Sequence, residues 1–252
     1  GGRPVSTSAQ PLQGRHAVVT GASRGIGAAI ADALEKAGAK VSRLARRATP
    51  GMIVCDVTNP AAVNVAFASA RHQHGPIHLL VNNAGQAESA PFAKSDAALL
   101  ERMLDVNLKS AWHCTQAALP DLQAADWARI VNVASVAGQK GYAYVSAYCT
   151  AKHALVGLTR SLAAELASTN ITVNALCPGY TDTDLVRNAV ASVALKTGRK
   201  ESEILADLAN NNPQGRLIRP EEVAAAALWL CSPETSAITG QTLSLSGGEI
   251  MS

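Results

Sequence analysis

The stretch R-H-A-V-V-T-G-A-S-R-G-I-G, residues 15–27, decides how the fold of this chain is to be interpreted. Its first part, residues 15–21, is a short apolar run ending in glycine, which is typical of a buried strand. An alanine-rich helical stretch follows from Ala28 to Ala37, and Gly38 ends it. A strand, a glycine-rich turn and a helix together favour phosphate binding, because backbone N–H groups then face the anion. The spacing G-x-x-x-G-x-G departs from the common dinucleotide fingerprint, so an ordinary tight turn is the alternative.

Composition bounds the possible functions. The 252 residues are 48% hydrophobic and 16% charged, which fits a globular protein with a large core. The net charge of +3 is too small for a nucleic-acid footprint, and no apolar run approaches the roughly 20 residues of a membrane span. The five cysteines form no C-x-x-C pair and the histidines show no ligand spacing. We therefore expect reduced thiols in a cytoplasmic protein, with no metal site and neither nucleic acid nor membrane as partner.

The second strand, residues 39–45, ends in Ala45-Arg46-Arg47 with no carboxylate. Many dinucleotide folds place an acid there to bind the ribose 2′-hydroxyl, whereas a guanidinium binds a 2′-phosphate. Arg46, with Arg24 from the glycine turn, therefore favours NADP(H) over NAD(H). The alternative is that Arg46 and Arg47 are only solvated charges in a loop. The next strand, residues 52–57, follows too soon for a crossover helix. It ends in Asp56-Val57, which we expect to contact the adenine.

Strands and helices alternate along the rest of the chain, and this pattern indicates one doubly wound α/β domain, residues 14–252. A flexible tail is expected at residues 1–13 and a substrate lid at about 180–215, where the sequence is polar with a short helical pattern near 201–210. The predicted strands are 77–85, 129–135, 171–179 and 242–248, and the predicted helices are 60–73, 95–119 (closed by Pro120), 146–168 and 220–231.

Three polar residues are placed for proton transfer. Tyr148 and Lys152 are four residues apart, so they share one face of the helix predicted there. Ser135 ends the preceding strand, at the sheet edge where ligands bind in open α/β folds. A hydroxyl, a phenol and an ammonium converging on one point suit proton transfer at a carbonyl or carbinol.

These elements together resemble the short-chain dehydrogenase/reductase family, from about Arg15 to Gly248. The branch most resembled is that of 3-oxoacyl reductases and 3-hydroxyacyl-CoA dehydrogenases, and Ser246 departs from the Asp that many members carry. The matching elements, in the family's order and spacing, are T-G-A-S-R-G-I-G at 20–27, Asp56-Val57, N-N-A-G at 82–85, Asn107, Ser135, Y-x-x-x-K at 148–152 and P-G at 178–179.

The resemblance implies a Rossmann-like parallel sheet of about seven strands with helices on both faces, a nicotinamide cofactor at the carboxyl edge of the sheet, and usually a homotetramer. The implied catalytic residues are Asn107, Ser135, Tyr148 and Lys152. The residues implied or expected to bind the cofactor are Gly21, Ser23, Arg24, Gly25, Ile26, Gly27, Arg46, Asp56, Val57, Asn83, Ala84, Gly85, Tyr148, Lys152, Pro178, Gly179, Thr181 and Thr183.

The expected function is thus that of an NADP(H)-dependent oxidoreductase that interconverts a ketone and a secondary alcohol. Tyr148 acts as general acid/base, and Lys152 with the oxidised nicotinamide is expected to lower its pKa. The expected substrate is a 3-oxoacyl or 3-hydroxyacyl thioester or a similar small carbonyl. The alternatives are an NAD-dependent dehydrogenase of a small or aromatic secondary alcohol and, more remotely, a non-catalytic nucleotide-sensing protein on the same fold.

Overall fold

A computed structural model describes residues 10–251, and its centre is a sheet of seven parallel strands in the order β3-β2-β1-β4-β5-β6-β7. The doubly wound α/β fold predicted from the sequence is confirmed. The strands are β1 His16–Thr20, β2 Lys40–Ala45, β3 Ile53–Val54, β4 Leu79–Asn82, β5 Ala128–Val133, β6 Ile171–Pro178 and β7 Thr242–Leu245. The helices are α1 Gly25–Lys36, α2 Pro60–His74, α3 Ala97–Leu104, α4 Ser110–Ala124, α5 Ser146–Glu165, α6 Asp184–Thr197, α7 Glu201–Asn210 and α8 Pro220–Cys231.

Helices cover both faces of the sheet, so the central strands are buried on both sides. One apolar layer joins the sheet to α1 and α8, with Ile30 and Val223 among its fully buried residues. The other joins it to α2, α4 and α5, with Phe67 and Cys114 fully buried. The strand order reverses between β1 and β4, and the carboxyl ends of these two strands therefore open the crevice in which ligands of such sheets bind.

The absence of a crossover helix between β2 and β3 is confirmed. Residues 46–52 connect the two parallel strands and contain no helix, although such connections normally need a dozen or more residues. The pairing is correspondingly short, with only Leu44 opposite Ile53 and Ala45 opposite Val54. β3 is therefore a two-residue edge strand rather than the longer strand predicted over 52–57.

The single helix predicted over 95–119 is wrong in two respects. Asp105–Lys109 forms a turn of π-helix that separates α3 from α4. Pro120 does not end α4 but lies inside it, because the helix continues to Ala124. Proline leaves the carbonyl of Gln116, four residues earlier, without its N–H partner, and both residues are exposed, so solvent can satisfy that carbonyl.

The predicted boundary of the tail differs from the structure, and the predicted lid segment contains more helix than expected. Residues 1–9 of the expected tail lie outside the described residues. Leu12, also assigned to the tail, is fully buried in the core, and its backbone N–H donates to the Ala37 carbonyl at 3.0 Å. The lid segment contains α6 in addition to the helix expected near 201–210. None of the helices within residues 10–251 combines the length and the apolar character needed to cross a bilayer.

Candidate active site

The turn between β1 and α1 leaves room that only glycine permits. A Cβ at Gly27 would lie 2.3 Å from Asn83 Nδ2 and 2.4 Å from the Gly21 carbonyl oxygen. Gly21 itself has φ of +64°, in the left-handed region that glycine favours. No side chain caps the start of α1, and its first turn holds no acidic residue. The N-terminal amides of α1 are therefore available to an anion in the crevice.

The next strand end, at β4, is fixed against this turn by hydrogen bonds. Thr20 Oγ1 accepts from the backbone N–H groups of Asn83 and Ala84, each at 3.0 Å. Asn83 Nδ2 donates to the carbonyls of Thr20 at 3.0 Å and Gly21 at 3.1 Å. The predicted N-A-G residues thus face the glycine turn directly across the crevice.

A carboxylate and a guanidinium lie together at the edge of the crevice formed by β2 and β3. Asp56 Oδ1 accepts from Thr58 Oγ1 at 2.7 Å and from Thr58 N at 3.0 Å. These bonds lower the pKa of Asp56, and the nearby charge of Arg46 lowers it further. On the opposite side, Arg24 Nη1 lies 3.6 Å from Asp184 Oδ2, and both side chains are largely exposed.

Asn107 lies in the π-helical turn, and that turn directs its amide into the site. Nδ2 donates to the carbonyls of Gln86 at 2.9 Å and Met103 at 3.0 Å, and Oδ1 accepts from Gln86 N at 3.2 Å. A Cβ at Gly85 would lie 2.8 Å from Asn107 Oδ1 and 3.5 Å from Lys152 Nζ. Asn107, Gly85 and Lys152 therefore converge on one point.

Lys152 is buried within the first turns of α5. Its side chain is 4% exposed, and Nζ donates to the Val133 carbonyl at 3.0 Å. Burial lowers the pKa of Lys152 to about 8, because the charged form loses its hydration. No carboxylate among the described residues pairs with it in an ion pair. The ammonium is therefore held by a strand carbonyl rather than by a counter-charge.

Tyr148 lies one turn before Lys152, and the Lys152 Nζ is 5.7 Å from the centre of the phenol ring. Burial raises the pKa of Tyr148 to about 12, and its hydrogen bond with Ser135 opposes that rise. The expected lowering of this pKa is not produced by the protein's own groups. At neutral pH the phenol therefore carries its proton and can donate it.

Ser135 reaches Tyr148 although the two are far apart in the chain. It follows β5 and begins a short 3₁₀ turn, Val136–Gly138, whose Ala137 N–H donates to Ser135 Oγ at 3.1 Å. The turn reverses the chain toward the start of α5. Ser135, Tyr148 and Lys152 are thus brought together, as the sequence predicted from their order.

The crevice has a volume of about 300 Å³ and contains most of the predicted residues. Those lining it are Gly21, Ser23, Arg24, Gly25, Ile26, Gly27, Arg46, Asp56, Val57, Asn83, Ala84, Gly85, Asn107, Tyr148, Lys152 and Thr183. Four predicted residues are not in its lining. They are Ser135; Pro178, which ends β6; Gly179, whose N–H donates to the Leu245 carbonyl; and Thr181, which is buried and donates to the Gly179 carbonyl at 3.0 Å.

Sequence reasoning missed some residues that line the crevice. Most of them flank a residue already named at a strand end, and that topology is the signal that finds them. Asp184 and Leu185 were missed because the helix that they begin was not predicted, although Thr183 and the acidic Asp184 are typical of a helix start. The missed residues are Leu44, Ala45, Cys55, Thr58, Gln86, Val106, Val133, Ala134, Asp184 and Leu185. Residues 10–251 contain no cluster of three or more His, Cys, Asp or Glu able to hold a metal ion.

Comparison with known proteins places the chain in one family. The family described as "Enoyl-(Acyl carrier protein) reductase" matches residues 21–249. The D-beta-hydroxybutyrate dehydrogenase of Rhizobium meliloti (strain 1021) is 33% identical over 250 residues, which cover 92% of this chain and 97% of the relative. The 3-oxoacyl-[acyl-carrier-protein] reductase FabG of Vibrio cholerae serotype O1 is 34% identical over 252 residues, covering 95% and 99%.

A solved structure is similar over almost the whole chain. A variant of actinorhodin polyketide ketoreductase, solved with NADPH, superposes with a TM-score of 0.89 at 31% identity and covers 96% of this chain and 99% of that one. Both the sequence relatives and this structure thus match the chain over nearly its full described length. The chain belongs to the short-chain dehydrogenase/reductase family and is an NAD(P)-dependent oxidoreductase of that family.

Proposed function

We propose that the protein interconverts a ketone and a secondary alcohol with NADP(H), and that Tyr148 exchanges the proton at the substrate oxygen. The observation that carries this proposal is the placement of the Tyr148 phenol beside the buried ammonium of Lys152, whose Nζ lies 5.7 Å from the ring centre and donates to the Val133 carbonyl. Tyr148 and Lys152 line the same crevice as the glycine turn. A proton donor and a phosphate cradle therefore share one cleft.

The residues present fit a nicotinamide dinucleotide. The uncapped start of α1 and the space above Gly27 suit its diphosphate, and Lys152 is placed for its nicotinamide ribose. When bound, the cofactor supplies or accepts the hydride at the substrate carbon. The further expected contacts of Pro178, Gly179, Thr181 and Thr183 are part of this proposal.

Tyr148 performs the proton transfer in both directions. In reduction its phenol, protonated at neutral pH, donates to the substrate oxygen, while the Ser135 hydroxyl orients that oxygen by a hydrogen bond. Oxidation requires the phenolate. Positive charge from Lys152 and from the oxidised cofactor favours that form and counteracts the rise in pKa caused by burial.

Lys152 and Asn107 replace the proton that Tyr148 gives up. With its pKa lowered to about 8, Lys152 can release a proton near neutral pH and accept one again. Asn107 Oδ1 uses one of its two acceptor positions for Gln86 N, so the other can hold a water next to Lys152. Asn107 is therefore a positioning residue for the proton path to solvent.

NADP(H) is proposed over NAD(H) because two guanidinium groups border the crevice, Arg46 near Asp56 and Arg24 on the opposite side. Arg24 and Arg46 both line it, and a forked guanidinium binds a phosphate well. Asp56 lines it as well, and its carboxylate favours a ribose hydroxyl over a phosphate. Asp56 is thus the observation in favour of the alternative, an NAD-dependent dehydrogenase of a small or aromatic secondary alcohol.

The proposed substrate is a 3-oxoacyl or 3-hydroxyacyl thioester or a similar small carbonyl. Two relatives are named for a 3-oxoacyl-[acyl-carrier-protein] and for D-beta-hydroxybutyrate, compounds with the oxygen on the same carbon. The exposed lid cation Arg199 pairs with Asp207 at 2.6 Å, which supports a solvated lid surface rather than contact with a carrier phosphate. The non-catalytic alternative has no support from the site, since Tyr148 and Lys152 are both in place.

We further propose a homotetramer in the cytoplasm. The exposed Trp112 on α4 lies beside a groove that α4 forms with α5, and β7 is an edge strand of the sheet. A face of this kind suits a second copy of the chain. All five cysteines are free and buried, which suits a reducing compartment.

The variant Tyr148→Phe tests the proton-transfer role, because it removes one hydroxyl and keeps the ring. Oxidation of NADPH at 340 nm with acetoacetyl-CoA should slow by about 100-fold or more, while the Kd for NADPH, measured by fluorescence titration, should change little. Turnover near that of the unmodified protein would remove Tyr148 as the acid. Loss of NADPH binding together with turnover would instead assign it to cofactor binding.

A further inference from the structure

Glu249 is an unusual carboxylate because it is buried and only partly satisfied. It follows the last strand, and its side chain is 5% exposed. Its Oε1 accepts from the Tyr142 hydroxyl at 2.5 Å and lies 2.9 Å from Lys140 Nζ. The same Lys140 Nζ lies 4.9 Å above the Tyr142 ring. Three polar side chains thus form one cluster around a single oxygen atom.

The second oxygen, Oε2, accepts no hydrogen bond from residues 10–251. It borders Gly179, where an added Cβ would lie 3.5 Å from Oε2. The buried side-chain atoms without a hydrogen-bond partner in residues 10–251 do not include Oε2, so this oxygen keeps access to solvent. An acceptor oxygen that is held in place through Oε1, keeps access to solvent and has no protein partner is suited to receive a donor from a ligand.

The cluster lies at the reacting edge of the sheet. Gly179 follows the end of β6, the neighbour of the strand that leads to Ser135. Tyr142 belongs to the segment between Ser135 and Tyr148, and Gln139 in that segment accepts from Ser244 Oγ of β7 at 2.9 Å. The phenols of Tyr142 and Tyr148 are both close enough to Tyr180 for their pKa values to be raised by it. The cluster therefore borders the site near Tyr148, and its own residues lie outside the lining of the cofactor crevice.

We infer that Glu249 determines substrate specificity by accepting, at Oε2, a hydrogen bond from an O–H or N–H group of the substrate. This inference rests on the proposed function and narrows its substrate class. A thioester arm with an amide N–H or a hydroxyl satisfies Oε2, whereas a free 3-oxo acid presents a second carboxylate and no donor. Tyr142 and Lys140 are positioning residues, because they hold Oε1 and leave Oε2 without a protein partner.

The test compares substrates that differ only in the donor. The first pair is the acetoacetyl thioester of N-acetylcysteamine and its N-methylated counterpart, and the second is the 2-hydroxyethyl and 2-methoxyethyl thioesters. We expect kcat/KM to favour at least one donor-bearing member by about 10-fold or more, since a hydrogen bond to a charged group is of that strength. The pair that shows the preference tells whether the donor is an amide or a hydroxyl.

Two variants assign that preference to Glu249. Glu249→Met should bring the ratio within each pair close to 1, and Glu249→Gln should raise kcat/KM for free acetoacetate by about 10-fold, because the like charge is gone. Glu234→Gln is the matched control, since Glu234 is exposed and lies after α8. A purely structural role would lower kcat/KM equally for both members of each pair and leave the ratio unchanged.

Two results overturn the inference in distinguishable ways. If the unmodified protein reduces these ketones but shows no preference for a donor, or if both Glu249 variants keep the preference, Glu249 does not bind substrate. If the unmodified protein reduces none of them with either cofactor, the proposed function fails and the inference fails with it. Thermal unfolding of each variant shows which losses come from the fold alone.

Discussion

Replacing Lys152 by methionine should make the protein more stable while it removes activity. Burial lowers the pKa of this lysine from 10.5 to about 8, so the folded state holds the ammonium less favourably than water does. At 1.36 kcal/mol for each pKa unit, the shift corresponds to about 3 kcal/mol of instability at pH 7. The variant also loses the hydrogen bond to the Val133 carbonyl, and this loss offsets about 1 kcal/mol of the gain in stability. A net gain of about 2 kcal/mol should raise Tm by about 4–8 °C.

The stability gain from Lys152→Met should depend on pH in a definite direction. Between pH 8 and 10.5 the unfolded chain binds more protons at Lys152 than the folded one does, so the unmodified protein gains stability as pH rises through this window. Methionine has no such dependence. The difference in Tm between the two proteins should therefore be largest at pH 7 and should shrink toward pH 10.5.

Differential scanning calorimetry on the cofactor-free protein at pH 7, 8, 9 and 10 measures this difference. Lys40→Met is the matched control, because Lys40 is exposed and its replacement should shift stability by no more than about 0.5 kcal/mol. A Lys152→Met protein that is less stable than the original at pH 7 would refute the reasoning. So would a difference that stays constant from pH 7 to 10.

Two further predictions concern the charged residues of the crevice and the buried histidine of β1. Arg46→Ala should weaken NADPH binding by about 10-fold and leave NADH binding nearly unchanged. Asp56→Asn should strengthen NADPH binding. If the unmodified protein prefers NADH, the argument for a 2′-phosphate is contradicted. His16 is buried between Ser42 Oγ and the Gly75 carbonyl, and burial lowers its pKa to about 4. Tm should therefore fall as the pH is lowered from 6.5 toward 4, because the unfolded chain binds the proton more readily. His16→Gln should reduce that fall, and an unchanged dependence of Tm on pH would contradict the prediction.

The sheet and its order of elements were predictable because local sequence patterns identify most of the strands and helices. Buried strands such as β5 and β6 are short apolar runs, and their carboxyl ends carry the polar residues that open the crevice. The missing helix between β2 and β3 was also predictable, since too few residues separate the two strands. Topology then brings Ser135, Tyr148 and Lys152 together without any further information.

Features that depend on a tertiary contact were not predictable. The π-helical turn at Asn107 arises because its amide bonds the Met103 and Gln86 carbonyls, and apolar periodicity shows only a continuous helix there. The start of α6 at Asp184 forms no side-chain cap bond, and only Val190 of this helix is buried, so its apolar pattern is weak. Glu249 follows two glycines near the end of the chain, and only its distances to Tyr142 and Lys140 distinguish it from a solvated acid.

A chain of buried amides and hydroxyls explains how the fold tolerates a buried lysine at a fixed position. Asn82 Nδ2 donates to Asn132 Oδ1 at 2.9 Å, and Asn132 Nδ2 donates to Thr159 Oγ1 at 2.9 Å. These bonds join β4 and β5 to α5, the helix that carries Tyr148 and Lys152. Apolar packing alone resists separation of helix and sheet but permits small sliding, whereas directional bonds fix the register. The polar interior therefore holds the phenol and the ammonium at the strand ends against the unfavourable desolvation of the charge.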